Sequence, residues 1–216
     1  IVEGDSAGGS AKSARDRETQ AILPLRGKIL NVANASSAKL AQNQLLSDLI
    51  QALGVGTGSK YRDDDLRYER VIVMTDADVD GAHIASLLIT FFYQEMPELI
   101  ENGHLFLAVP PLYKLTHGAK SVYATTEAQR DALLKSEFAH NAKVEISRFK
   151  GLGEMNAQQL KETTMDPKKR TLLKVEIGAG DRTEIGDAVN ALMGSKPEAR
   201  FRFIQDRAAF AKDLDI

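Results

Sequence analysis

The segment Arg70-Val71-Ile72-Val73-Met74-Thr75, followed at once by Asp76-Ala77-Asp78-Val79-Asp80-Gly81, constrains this chain more than any other. A continuous β-branched run of this kind reads as a strand buried on both faces of a parallel sheet. Three carboxylates then leave its carboxyl end at alternate positions, which is where ligands bind in open α/β sheets. Like charges this close raise one another's pKa values, and a bound divalent cation would offset the repulsion. Ligands made only of oxygen suit Mg2+ or Mn2+.

An EF-hand loop also begins with alternating acids and a glycine, but it needs a bidentate Glu at its twelfth position. Counted from Asp76 that position is Leu87, inside an apolar helical pattern, and a strand rather than a helix precedes the triplet. A plainer alternative is that the acids cap the helix that follows. One Asp suffices for that, and three exceed the need.

The rest of the first half alternates strand-like runs with amphipathic ones, the pattern of a parallel α/β sheet. Ile1–Glu3 reads as the end of a strand. Asp5 or Ser6 is expected to cap a helix reaching about Arg17. The Gly4–Lys12 stretch looks like a phosphate loop but lacks the Gly-Lys-Ser/Thr of a Walker A sequence. Small residues at a helix start still let backbone N–H groups approach a phosphate closely, and Glu3 stands just before them. A punctuated apolar loop with two cations covers residues 21–32, a single helix is expected from Ser37 to Leu53 with Gly54 as its stop, and a polar Gly-rich loop follows to Asp65.

Beyond the triplet the pattern predicts a helix from about Gly81 to Met96, a strand over Leu105–Val109, and a hairpin turning at His117-Gly118. The second half is more mixed. Helices are expected near Glu127–Ser136 and Ala157–Thr164, strands near Val144–Phe149 and Leu172–Ile177, and two helices between Thr183 and Arg207. The halves divide near residue 116.

Composition narrows the function classes. The 216 residues are 43% hydrophobic and 27% charged, enough for a buried core in one large domain or two small ones. With no cysteine, thiolate chemistry, disulfides and Cys-based metal sites are excluded. No apolar run approaches the ~20 residues that span a bilayer, and no signal peptide is visible, so a cytoplasmic place is expected. A formal charge of −2 requires any nucleic-acid surface to gather its cations on one face. The chain opens at Ile1 without an initiator Met and is expected to be a piece of a longer protein.

Four stretches, in order, carry a resemblance: Glu3-Gly4-Asp5-Ser6-Ala7-Gly8-Gly9-Ser10-Ala11, Pro24-Leu25-Arg26-Gly27-Lys28-Ile29-Leu30-Asn31, Asp76 to Gly81, and Lys150-Gly151-Leu152-Gly153-Glu154-Met155. Together they resemble the Toprim and tail region of type IIA DNA topoisomerase B subunits. Asp63 to Asp65, Ala82, and the lack of a large insertion between the two regions favour the topoisomerase IV branch of alphaproteobacterial type over gyrase. The resemblance implies a Rossmann-like parallel sheet flanked by helices over 1–115 and a smaller α+β tail over 116–216 that contacts the A subunit and DNA.

It also implies roles. Glu3, Asp76 and Asp78 take the metal-ligand positions, with Asp80 a weaker member and Glu3 also a general acid–base. Mg2+ is the implied cofactor, and Mn2+ or Ca2+ can stand in for it in binding. ATP belongs to a domain outside this chain. Arg26 and Lys28, with Lys12 and Arg15 behind them, would meet the DNA backbone. Lys150 and Glu154 would lie at an interface or DNA gate. Lys168-Lys169-Arg170 reads equally as a surface patch or a DNA contact, and His83 as a helix residue rather than a ligand. The nucleophile would be a tyrosine of the A subunit in an A2B2 heterotetramer acting on double-stranded DNA at the nucleoid, so none of Tyr61, Tyr68, Tyr93, Tyr113 and Tyr123 is needed for it. Two other classes use the same acids differently: a Toprim-type nuclease or primase, and a non-catalytic DNA-binding module.

Overall fold

A computed structural model of the chain describes residues 1–178 and 182–210. Its main sheet is assembled from strands β1 (Val2–Glu3), β2 (Pro24–Leu25), β3 (Val71–Val73) and β4 (Leu105–Ala108). β1 runs parallel to β2, and β3 parallel to β4. A parallel bridge between Val2 and Met74 joins the two pairs, reinforced by Glu3 N–H to Met74 O at 3.0 Å and Met74 N–H to Ile1 O at 2.8 Å. The order is therefore β2-β1-β3-β4, with all four strands pointing their carboxyl ends the same way.

The helices follow their local chemistry. Helix α4 (Val79–Glu95) buries Ile84, Leu87, Leu88, Phe91 and Phe92, an i, i+3, i+4 stripe that faces the sheet. Each such side chain contributes about 1.5–3 kcal/mol when fully buried. Helix α1 (Asp5–Ala14) presents Ala7, Gly8, Ala11 and Ala14 inward, small residues that let it lie close to its neighbours. The expected cap by Asp5 or Ser6 is corrected: Gly4, at φ 76° and ψ 161°, is the N-cap, and Asp5 is the first helical residue. A β-branched or bulky residue resists that left-handed φ; glycine does not.

The single helix expected over Ser37–Leu53 is two, α2 (Ser37–Gln42) and α3 (Gln44–Leu53). Asn43 breaks them because its side chain takes the Leu46 N–H at 3.0 Å, offering the backbone an alternative to helix. Gly54 stops α3 in the left-handed conformation, as expected. The short α5 (Pro97–Glu101) follows α4 directly, Pro97 serving as a helix start as well as a stop.

In the second half, β5 (Tyr113–His117), β6 (Lys120–Ala124) and β7 (Glu145–Arg148) make an antiparallel sheet of order β6-β5-β7. The hairpin turns where the sequence places it. Helix α6 (Glu127–Glu137) lays Leu133 and Leu134 over Tyr113, Leu115 and Ala124. Helix α7 (Ala157–Leu160) is closed by a capping box from Asn156 and Gln159 and runs on as a π-helical turn over Lys161–Met165. Strand β8 (Leu172–Lys174) then returns to the main sheet, antiparallel on β4 with Leu107 opposite Leu173. Helices α8 (Arg182–Met193) and α9 (Pro197–Arg207) close the described chain. Among the described residues no helix is long and apolar enough to cross a membrane.

Candidate metal centre

Parallel pairing brings the carboxyl ends of β1 and β3 side by side, so Glu3 and Asp76 meet although 73 residues separate them. Glu3 Oε2 accepts the Asp76 backbone N–H at 3.1 Å. Both residues are half-buried. Burial raises the Glu3 carboxyl pKa; the Asp76 N–H opposes this, and the charges of Asp76, Asp78 and Asp80 add to the rise. The site thus concentrates negative charge on one partly desolvated acid.

The other acids are engaged nearby. Asp76 Oδ1 accepts the Leu152 N–H at 2.7 Å. Asp78 is the N-cap of α4, its Oδ1 taking the Gly81 N–H at 2.7 Å. Asp80, in the first turn of the helix, pairs with Lys28 Nζ at 2.6 Å, and that bond lowers its pKa. Among the described residues, no three His, Cys, Asp or Glu side chains converge as they stand on a point where a metal could sit. The donor set is nonetheless all carboxylate and suits a hard divalent ion. Glu3 and Asp76 could supply it together. Asp78 and Asp80 would join them through the oxygens not taken by the Gly81 N–H and Lys28.

The cations expected near DNA follow the same strand ends. Arg26 and Lys28 come just after β2 and are exposed; Arg26 Nε is 3.2 Å from Asp5 Oδ1. Lys12 is exposed in the last turn of α1, and Arg15 Nη1 donates to the Lys12 carbonyl at 2.6 Å. His83 is exposed on α4. Lys150 and Glu154 flank the turn that reaches Asp76, the Lys150 N–H donating to Glu154 Oε2 at 2.9 Å. Lys168 and Lys169 are exposed, while Arg170 is half-buried, its pKa lowered by burial and by the nearby Arg70. Sequence reasoning missed the two ion pairs and the Leu152 contact. The Gly-Leu-Gly of residues 151–153 was the available signal, since a glycine in a turn often marks a close backbone approach.

A model of the Toprim domain matches residues 1–110, just over half of the 216-residue chain. The chain belongs to the Toprim family. The matched span contains β1 to β4 with all four acids, so the Toprim sheet and the candidate centre coincide. A second model, the DNA gyrase B subunit carboxyl terminus, matches residues 141–205, which follow β4 in sequence and include β8. Both bear out the resemblance read from the four motifs. Over its full length the chain is 66% identical to the B subunit of DNA topoisomerase 4 from Bartonella bacilliformis and covers 31% of that protein. It is 67% identical to the protein of the same name from Caulobacter vibrioides, again covering 31%, and 50% identical to the DNA gyrase B subunit of Spiroplasma citri, covering 33%. The chain therefore spans about a third of the length of these curated relatives.

Proposed function

We propose that this chain is the metal-binding half of the DNA cleavage–religation centre of a type IIA topoisomerase, the Toprim and tail region of a topoisomerase IV B subunit. The observation that carries the reading is the junction of Glu3 and Asp76 across two parallel strand ends, 3.1 Å from carboxylate oxygen to backbone nitrogen, beside a helix start built from small residues. Residues 1–115 would form the metal-binding unit and 116–216 the tail facing the A subunit and DNA.

Glu3 and Asp76 would hold the ion, with Asp78 as the next ligand and Asp80 supporting. Bound Mg2+ would supply Lewis-acid polarisation of the scissile phosphate and charge stabilisation at the leaving oxygen. Glu3, whose pKa burial raises, is suited to give a proton to the leaving sugar oxygen during cleavage and to take it back when that hydroxyl attacks during religation. Gly4 caps α1 without a side chain, leaving first-turn N–H groups for a DNA phosphate. Arg26 and Lys28 would bind the neighbouring backbone, with Lys12 further along α1. The attacking tyrosine would come from the A subunit in an A2B2 assembly, and the substrate would be double-stranded DNA, decatenated and relaxed at the nucleoid in the cytoplasm. ATP would be used by another region of the whole topoisomerase.

The test is DNA cleavage by the assembled A/B enzyme. Glu3→Gln and Asp76→Asn should each lose Mg2+-dependent cleavage while keeping their far-UV spectrum and their affinity for the A subunit. Full cleavage by both variants would point to a non-catalytic module. Cleavage by this chain on its own would point to a Toprim nuclease. The 50% identity to a gyrase relative keeps gyrase as the second reading, and introduction of negative supercoils by the whole enzyme would select it.

A further inference from the structure

We propose that the Gly151–Leu152 turn is a positioning element for Asp76, setting its carboxylate through one backbone N–H and through the missing Cβ of Gly151. This rests on the reading of Asp76 as a metal ligand. The Leu152 N–H donates to Asp76 Oδ1 at 2.7 Å. A Cβ built on Gly151 would stand 2.4 Å from Asp76 Oδ2 and 2.7 Å from its Cγ. Gly151 itself has φ −168° and ψ 173°, extended backbone open to any residue. Glycine is therefore required there by the carboxylate pressed against it and not by the fold of the turn.

The turn is mounted so that it can hold a position. Leu152 and Met155 are 1% and 2% exposed, buried in one small core with Val2, Ala7 and Met74. Val2 and Met74 belong to the strand ends that carry Glu3 and Asp76. Glu154 closes the turn by accepting the Lys150 N–H at 2.9 Å. Asp76 is also held from β1, its N–H donating to Glu3 Oε2, and its carbonyl oxygen leaves no room for a Cβ at Gly81. Two segments distant in sequence, the end of β1 and the Gly151–Leu152 turn, thus converge on one acid. With Oδ1 given to a protein N–H, Oδ2 is the oxygen left for a cation. Supports of this kind behind a ligand typically change metal affinity by about 10–100-fold when lost.

The experiment is Mn2+ binding to this chain, read from the free-ion EPR signal, alongside thermal unfolding without metal and the amide NMR spectrum. Gly151→Ala is expected to keep a cooperative unfolding transition, weaken Mn2+ binding by at least about tenfold, and move the Leu152 amide proton upfield as its carboxylate acceptor is displaced. Wild-type Mn2+ affinity in Gly151→Ala, with affinity lost in Asp76→Asn, would overturn the positioning role and leave the metal centre standing. Wild-type affinity in both Glu3→Gln and Asp76→Asn would overturn the metal centre beneath it. If Gly151→Ala does not fold, the native chain decides: the Leu152 amide must shift on Mg2+ titration with the midpoint of ion binding, and an amide that stays still overturns the proposal.

Discussion

Lys28 Nζ lies 2.6 Å from Asp80 Oδ1, tying the loop after β2 to the first turn of α4. The side chains are 49% and 66% exposed, so water screens the pair and it adds little to stability. Lys28→Ala should therefore leave the Tm within about 3 °C of wild type. Its effect should appear in DNA binding by the A/B enzyme, where the slope of log affinity against log salt should fall by about one phosphate contact. An unchanged slope would remove Lys28 from the DNA surface.

Asp78 has two separable roles. As the cap of α4 it can be replaced by Asn, whose side-chain oxygen takes the same N–H. Asp78→Asn should thus keep the wild-type Tm yet bind Mn2+ more weakly, having lost its charge. Asp78→Ala should lose about 1 kcal/mol of stability as well. Calorimetry and ion titration on the two variants separate the effects; Mn2+ affinity unchanged in Asp78→Asn would confine Asp78 to capping.

Tyr61, 7% exposed, donates its hydroxyl to Asp63 Oδ1 at 2.6 Å. That bond is the main cause holding the Asp63 pKa below its ordinary value, with Asn102 and His104 helping. A depressed folded pKa adds stability above the unfolded value, about 3.9, and loses it as pH falls through the folded value. Tyr61→Phe should therefore cost about 1 kcal/mol at pH 7, with the gap to wild type narrowing below about pH 4. Denaturant midpoints measured across that range check it. A gap independent of pH would mean that the Asp63 carboxylate is not the partner that matters.

The features visible in the sequence were those with a local cause. The buried run at Val71–Val73 and the Asp76 to Asp80 triplet mark a strand end because burial and charge change over within a few residues. The hairpin at His117-Gly118 and the stop at Gly54 follow from turn chemistry. What stayed hidden depends on distant pairing. Nothing near Leu172–Lys174 says that it adds to β4 from the other half of the chain, and nothing near Gly151 names Asp76 as its neighbour. Asn43 reads as one more residue in a helical period, and only its bond to the Leu46 N–H shows why the helix divides.

On the proposed reading, Glu3 and Asp76 share one divalent ion. Anomalous diffraction from Mn2+ in crystals of the A/B–DNA complex reads this directly. The expected result is a Mn2+ peak in direct contact with carboxylate oxygens of both residues. A peak held by Asp78 and Asp80 without Glu3, or none at these strand ends in a complex that cleaves DNA, would contradict it.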